Sequence, residues 1–272
     1  ARVLYFGVLV LLGGAHAVLG DALIVSGQHH RPLGERHEHR ETLSTTSRAA
    51  AAGGVTTIIC MPNTEPVIDD VALVDFIMRR ARDTAQINVH PMAAMTKGLK
   101  SEEMAEIGLL RDAGAIAFTN GKTSLADAKM MRNVLAYAKD FGVLIIHHLE
   151  EPKLAENGVM NEGEVATRLG LPGIPREAET IMLERDLRLA ELTRGRYHAG
   201  QISCRASLDI IRAAKERGLP ITCGVSINHL TLNENDIGSY RTFFKMRPPL
   251  RSEDDRAAMV EGIASGDIDV IV

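Results

Sequence analysis

The stretch that decides the fold is LADAKMMRNVLAYAKDFGVLIIHHLEE, residues 125–151. Its first part repeats apolar residues at the spacing of an amphipathic helix, and Gly142 is a common helix terminator. The run VLII that follows is apolar on both faces and short enough to be a buried strand. A helix followed directly by such a strand is typical of a parallel sheet covered by helices.

The same alternation recurs along the chain from residue 55. We predict helices over 71–83, 101–114, 125–142, 175–195, 207–218 and 252–266, and short strands at 55–61, 87–95, 115–119, 143–149, 196–203, 220–227 and 267–272. Ser101 is the predicted N-cap of the second helix, and Gly114 ends it. Both an open doubly wound sheet and a closed (β/α)8 barrel fit this pattern. No GxGxxG motif follows the first strand, and an eighth strand expected near residue 29 favours a TIM-type α/β barrel.

The first residues allow two interpretations. VLYFGVLVLL (3–12) followed by GGAHA (13–17) has the outline of a signal peptide with its cleavage site. However, the preceding positive region is only Arg2, and the apolar run is too short to span a bilayer. VLGDALIVSG (18–27) continues as a second strand-like segment after a Gly-Asp turn. We therefore favour two early β-strands.

Composition argues against several classes of partner. A net charge of −4 and a pI near 6.2 give no reason to expect nucleic acid or anionic lipid. Aromatic residues make up 4% of the chain and none is Trp, which argues against base stacking. Three distant cysteines without CxxC spacing indicate neither a disulfide framework nor a zinc ribbon. We predict a cytoplasmic protein whose main partner is neither nucleic acid nor a membrane.

Polar residues follow several predicted strands, where the chemistry of a barrel is found. These are Asn63, Thr119, Asn120, His147, His148, Glu150, Glu151, Gln201, Ser203, Asn228 and His229, with His29, His30, His37 and His39 upstream. Imidazoles from separate strands can converge on one Zn²⁺ ion. Alternatively, such side chains only cap helices and bind loops. Because strand side chains alternate, at most one of His147 and His148 faces the barrel axis.

Four long segments of the chain resemble one family. They are residues 39–69, 158–179, 220–238 and 245–272, which look like dihydroorotase of the type I form that partners aspartate transcarbamoylase. The resemblance runs in unbroken order over 37–272, and residues 1–28 more weakly resemble the family's opening β-sandwich strands. It implies remnant sandwich strands over 1–28 and a metal-dependent (β/α)8 barrel over 29–272, incomplete at the last strand loop.

The resemblance also implies a reaction and its residues. The family belongs to the amidohydrolases of pyrimidine biosynthesis and uses zinc to interconvert carbamoyl aspartate and dihydroorotate. Asn63 matches the family's contact to the substrate carboxylate, and His148 matches a metal-binding histidine, with His29 as a second metal ligand. The catalytic aspartate is expected just past Val272, so no catalytic residue is assigned within the chain.

Other positions depart from the family pattern. Asn120 stands at the aspartate of an FTDD-like motif, Gln201 at the histidine of an HIS motif, and Arg247 at the asparagine of NPPLR. The segment QHHRPLG around His29 has no clean HxH. Because neutral amides are poor zinc ligands, the sequence predicts a depleted metal site.

Three hypotheses follow from these departures. The first is an active dihydroorotase represented by a fragment or a damaged gene model. The second, which we favour, is a non-catalytic dihydroorotase-like partner of aspartate transcarbamoylase within an oligomer, because Asn120 and Gln201 lie inside well-matched segments. The third is hydrolysis of another cyclic amide by a rearranged site.

Overall fold

The computed structural model describes residues 6–11, 22–25, 42–239 and 241–272. Its strands are β1 (Phe6–Leu11), β2 (Ala22–Val25), β3 (Thr57–Cys60), β4 (Asn88–Pro91), β5 (Ala117–Phe118), β6 (Leu144–His147), β7 (Met160–Asn161), β8 (Gly173–Ile174), β9 (Arg196–Ala199), β10 (Ile221–Val225) and β11 (Val270–Ile271). Its helices are α1 (Leu43–Ala52), α2 (Val71–Thr84), α3 (Ile107–Asp112), α4 (Ala128–Asp140), α5 (Glu164–Leu169), α6 (Glu177–Thr193), α7 (Arg205–Glu216), α8 (Ile227–Thr231) and α9 (Glu253–Ser265).

The main sheet has nine strands in the order β4-β3-β2-β1-β11-β10-β9-β6-β5. Neighbouring strands run parallel except at β1, which is antiparallel to both β2 and β11. The strands at the two ends of this order also meet. The Ala93 N–H donates to Ala117 O (3.0 Å), and the Thr119 N–H donates to Ala93 O (2.9 Å). This link joins the region of β4 to β5, as expected of a TIM-type barrel. A small parallel sheet, β7-β8, stands apart.

The two early strands are present, and both lie in the barrel sheet. β2 pairs in parallel with β3 from Ala22↔Thr57 to Val25↔Cys60, and β1 lies between β2 and β11. The resemblance to sandwich strands did not anticipate this pairing, because a short apolar run has the same appearance in either setting. The boundary between residues 28 and 29, and the strand expected near residue 29, lie outside the described residues. The division of the chain at that point therefore stays a prediction.

The predicted helices form where the sequence provides caps and an apolar face. The predictions over 71–83, 125–142, 175–195, 207–218 and 252–266 correspond to α2, α4, α6, α7 and α9. In α4 the Asp127 carboxylate accepts the Met130 N–H at 2.8 Å, and Gly142, with φ +66°, follows the helix. The buried face of α4 includes Leu135, and full burial of such a side chain contributes about 1.5–3 kcal/mol. No helix in the described ranges is long and apolar enough to cross a bilayer.

The helix predicted over 101–114 is shorter than expected, because α3 begins only at Ile107. Ser101 is not its N-cap. It lies in a loop with φ +62°, and its N–H donates to Thr96 Oγ1 at 3.1 Å. Leu99 in the same loop has φ +60°. A side chain that follows β4 therefore sets this backbone, which a local capping pattern does not reveal.

Candidate functional site

The segments that follow β3, β5 and β6 contact one another, and we call this region the barrel mouth. Asn63 follows β3, and its Cγ lies 3.3 Å from the position that a Cβ atom would take at Gly121, in the loop after β5. Gly121 has φ +63°, so both its backbone and its neighbour favour glycine. Ser124, in the same loop, donates its Oγ–H to the carbonyl oxygen of His148 at 2.7 Å. The structure thus brings Asn63 and the backbone of His148 into contact with the same loop.

Asn63 carries an unsatisfied polar atom at this mouth. Its Oδ1 is buried and has no hydrogen-bond partner among the residues that the structure describes. Buried polar atoms are nearly always paired in folded proteins, so an orphaned acceptor requires an explanation. An N–H group of a bound molecule would satisfy it. The sequence prediction was a contact from Asn63 to the substrate carboxylate, which would use the Nδ2–H donors, and it stays a prediction.

Asn120 has a different role from the one its sequence position suggests. Its Oδ1 accepts the N–H groups of Met95 (3.1 Å) and Thr96 (3.2 Å), and its Nδ2 donates to Thr96 Oγ1 (2.8 Å). The side chain is buried. Oδ1 accepts two bonds and Nδ2 donates one, so the amide is committed to the loop after β4.

Replacing Asn120 with leucine is expected to lower the free energy of unfolding by about 2–3 kcal/mol. The change leaves two buried backbone N–H groups without an acceptor, and each such loss costs about 1–3 kcal/mol before the loop relaxes. Chemical denaturation followed by circular dichroism measures the difference. Asn133→Leu, at an exposed position of α4, is the matched control and should shift stability by less than about 0.5 kcal/mol. Equal losses of stability in Asn120→Leu and Asn133→Leu would contradict the role of Asn120 in holding the loop after β4.

His147 faces the helices, not the mouth. It is completely buried; its Nδ1–H donates to Asp186 Oδ2 (2.6 Å), and its Nε2 accepts the Leu125 N–H (2.8 Å). Because Nε2 accepts a hydrogen bond, the proton of the neutral ring lies on Nδ1. Tyr197 donates its hydroxyl to Asp186 Oδ2 (2.7 Å), and Arg185 binds Oδ1 through two N–H groups. We call His147, Asp186, Tyr197 and Arg185 the buried quartet.

His148 follows β6, and its backbone carbonyl oxygen contacts the loop after β5; its metal-binding role stays a prediction. Burial lowers the pKa of its ring to about 3, and the charges of Arg247 and Lys122 act in the same direction. The ring is therefore neutral near pH 7. Neutral imidazole is the form that binds a metal, but it is also a neutral hydrogen-bonding group.

Arg247 and Glu150 form an ion pair beside His148. Burial raises the pKa of the Glu150 carboxyl, while the charge and hydrogen bond of Arg247 oppose that rise. A second Arg247 N–H, on Nη2, donates to Gly158 O at 3.4 Å. In the sequence, Arg247 was visible only as a departure from NPPLR. Its ion pair with the Glu150 carboxylate could not be predicted from that pattern.

The described residues do not fit a zinc site. Within the described ranges, no three His, Cys, Asp or Glu side chains lie close enough together to hold a metal ion. His198 bonds Thr222 Oγ1 through Nδ1 (2.7 Å), and burial lowers its pKa to about 4. A catalytic zinc site uses three protein ligands. Gln201 is partly exposed after β9, and His29 lies outside the described residues.

Comparison with known proteins identifies the family. A family model described as Dihydro-orotase-like matches residues 18–207. The chain belongs to this dihydroorotase-like family. It is similar to a dihydroorotase of Pelotomaculum thermopropionicum, 46% identical over 234 residues that cover 86% of this chain and 55% of that protein. A dihydroorotase of Desulfotalea psychrophila is 43% identical over 260 residues, which cover 96% of this chain and 61% of the relative.

Solved structures give the same fold for this dihydroorotase-like chain. An L-hydantoinase from Arthrobacter aurescens superposes with a TM-score of 0.72 at 21% identity, covering 90% of this chain and 56% of that one. A D-hydantoinase from Thermus sp. gives 0.64 at 25% identity, covering 85% and 52%. The predicted family and fold class are confirmed. The chain spans only about half to three-fifths of the length of these relatives.

Proposed function

We propose that the protein is a non-catalytic dihydroorotase-like partner of aspartate transcarbamoylase that keeps a pocket for carbamoyl aspartate or dihydroorotate. The observation that carries the proposal is the use of Asn120. At a position where the family resemblance implies a carboxylate, this side chain holds the loop after β4 with three hydrogen bonds. The protein would act in the cytoplasm within an oligomer.

Further support comes from the residues around the loop after β5. Among the described residues the Asn63 Oδ1 atom is buried without a partner, and both Asn63 and the backbone of His148 contact the loop after β5. Both substrate forms carry N–H groups that could satisfy Asn63 and carboxylates that could meet the cations near His148. Within the described residues no cluster of metal ligands accompanies these contacts, which is consistent with binding that is not followed by hydrolysis.

A second candidate is an active zinc-dependent dihydroorotase. Relatives named dihydroorotase share between 40% and 46% identity with most of this chain, which favours a shared activity. The histidines at 29, 30, 37 and 39 lie in a segment outside the described residues. They could join His148 as ligands of one zinc ion. The two candidates differ in bound metal and in turnover.

Purified full-length protein distinguishes the two candidates. Its zinc content, its rate of carbamoyl aspartate cyclisation and its co-elution with aspartate transcarbamoylase are measured on one preparation. We expect only trace zinc, no cyclisation above background and a stable complex with the transcarbamoylase. Stoichiometric zinc together with cyclisation would overturn the non-catalytic proposal and establish the second candidate. Separate elution of the two proteins would contradict the proposed partnership with aspartate transcarbamoylase.

A further inference from the structure

We propose that two copies of this chain associate through the outward face of α6, with their α6 helices packed antiparallel about a two-fold axis. We call this face the α6 stripe, and it consists of Ile181, Glu184, Arg188 and Leu192. The inference extends the oligomer of the proposed function by naming a surface for it, and it stands whether or not the barrel mouth is catalytic. The occupant of the stripe is a second copy of the chain, not the transcarbamoylase.

The first observation is a pair of exposed apolar side chains on one side of α6. Ile181 is 50% exposed and Leu192 is 66% exposed. At about 3.6 residues per turn, positions 181, 188 and 192 fall within an arc of about 40° on the helix surface, and Ile181 and Leu192 lie about 16 Å apart along the axis. The other side of α6 packs in the core through Met182 and Leu183. The α6 stripe therefore has an exposed apolar group at each end.

The second observation is the pair of opposite charges between these ends. Glu184 and Arg188 are both exposed and lie one helical turn apart. Among the residues that the structure describes, neither side chain has an ion-pair or hydrogen-bond partner. Beside them, Arg217 pairs with Glu191 at 3.6 Å. The middle of the stripe thus presents one carboxylate and one guanidinium to a molecule that docks there.

The third observation is that the stripe is complementary to itself. The apolar pair and the charged pair are both centred on the turn of α6 that contains residues 186 and 187. A two-fold axis through that turn, with the helices antiparallel, sets Ile181 against Leu192 of the second copy and Glu184 against its Arg188. Each contact then occurs twice, because in a two-fold interface residue i meets j and j meets i.

The charges also select the direction of packing. Parallel helices in the same register would set Glu184 against Glu184 of the second copy, and Arg188 against its Arg188, which opposes like charges. Exposed ion pairs add little affinity, but they discriminate between orientations. The affinity comes from burial of the apolar ends.

A groove beside the stripe has room for side chains of the second copy. It lies between α6 and α7, has a volume of about 310 Å³ and includes Leu187, Ile210 and Ala213 among its lining residues. Helices associate by placing the ridge of one into the groove of the other. The α6 stripe is such a ridge, and the groove between α6 and α7 is the space next to it.

Sedimentation velocity of the full-length protein at about 1–100 µM tests the interface. We expect the wild type to dimerise and Leu192→Glu to raise the dissociation constant by about a hundredfold, because the change puts a carboxylate into an apolar contact that occurs twice. Leu109→Glu, at a 60% exposed position of α3, is the matched control and should dimerise within about twofold of the wild type. Far-UV circular dichroism shows whether both variants fold.

A mixing experiment tests the antiparallel pairing. Glu184→Arg sets Arg against Arg188 of the second copy, and Arg188→Glu sets Glu against its Glu184, so each variant alone should dimerise about tenfold more weakly than the wild type. An equimolar mixture pairs opposite charges at both contacts. We expect it to form heterodimers with a dissociation constant within about threefold of the wild-type value. An effect confined to one helix would not be rescued by a second chain.

A monomeric wild type would overturn the inference, as would a dimer that Leu192→Glu leaves unchanged. Absence of heterodimers in the mixture would overturn the antiparallel pairing, and the mixture decides alone if Leu192→Glu does not fold. If the stripe binds the transcarbamoylase instead, the isolated chain will be monomeric and Leu192→Glu will abolish co-elution, which also contradicts self-association. Failure of the proposed function has a different signature, namely bound zinc and cyclisation in the wild-type protein.

Discussion

Asp186→Ala is expected to lower the free energy of unfolding by about 3–5 kcal/mol, a large share of the stability of a domain of this size. The carboxylate is completely buried at the centre of the quartet. Its removal leaves the His147 Nδ1–H and the Tyr197 hydroxyl without an acceptor, and Arg185 without its carboxylate. Unpaired buried donors and charges are among the few single-residue defects that cost this much.

The same substitution is expected to disturb the mouth. His147 bonds the Leu125 N–H, and Arg185 donates to Ala126 O at 2.7 Å. These bonds anchor the end of the loop that carries Lys122. Loss of the quartet should therefore increase hydrogen exchange of the amides at 121–126 before the barrel unfolds.

Urea unfolding followed by circular dichroism measures the loss of stability. Glu184→Ala is the matched control, because Glu184 is an exposed carboxylate two residues away on α6. Its effect should stay within about 0.5 kcal/mol. Losses of similar size in both variants would show that the helix, and not the quartet, accounts for the effect.

The quartet also predicts a dependence on pH. Burial pulls the pKa of Asp186 upward, but interactions with His147, Arg185 and Tyr197 outweigh it and hold the pKa below its ordinary value. A carboxyl with a depressed folded-state pKa stabilises the fold above its unfolded value, near pH 4, and this contribution is lost as pH falls through the folded value. Stability of the wild type should therefore fall more steeply below about pH 4 than that of Asp186→Ala. Parallel plots of unfolding free energy against pH for the wild type and Asp186→Ala would contradict the depressed pKa of Asp186.

The alternation of helices and strands could be predicted because it depends on local periodicity. The 125–151 stretch contains a cap, an apolar stripe, a glycine and a two-faced apolar run, and it folds into α4 and β6 accordingly. The parallel barrel follows from repetition of that unit. The prediction that Asn63 and His148 share a site has the same basis, since polar residues that follow parallel strands gather at one end.

The remaining features depend on contacts between distant parts of the chain. His147 and Asp186 are 39 residues apart, and no periodicity connects them. The substitution at Asn120 was visible in the sequence, but its hydrogen bonds to the loop after β4 were not. The prediction that Ser101 is a helix N-cap was wrong, because its N–H donates to Thr96 Oγ1 in a loop before the helix. Local sequence patterns therefore do not reveal the hydrogen-bond networks that hold these loops in place.

A second such network surrounds Arg251, which is 2% exposed and joins three parts of the fold. Its Nη1 donates to Asn161 Oδ1 (2.9 Å) in β7 and to Ile174 O (2.8 Å) in β8. Its Nε donates to Ser203 Oγ (3.0 Å) in the loop after β9. Its Nη2 lies 3.6 Å from Glu179 Oε2, so the cation also balances a buried carboxylate.

Arg251→Met is expected to cost about 3–5 kcal/mol of unfolding free energy, because it leaves Glu179 as a buried charge without its cation. Glu179 retains hydrogen bonds from the Ser203 N–H (2.8 Å) and the Ser207 hydroxyl (2.6 Å), but neither carries a compensating charge. The β7-β8 sheet loses two bonds at the same time. Arg132→Met, on the exposed face of α4, is the control and should have an effect below about 0.5 kcal/mol.

A double-mutant cycle with Glu179→Gln separates the ion pair from the other bonds of Arg251. If the unbalanced charge is the main cost, Arg251→Met should destabilise the Glu179→Gln background by about 1–3 kcal/mol less than it destabilises the wild type. An equal cost in both backgrounds would mean that the bonds to Asn161 and Ile174 account for the effect. In that case amide hydrogen exchange would rise mainly in β7 and β8. Loss of charge balance would also raise the exchange of the Ser203 amide, whose N–H donates to Glu179.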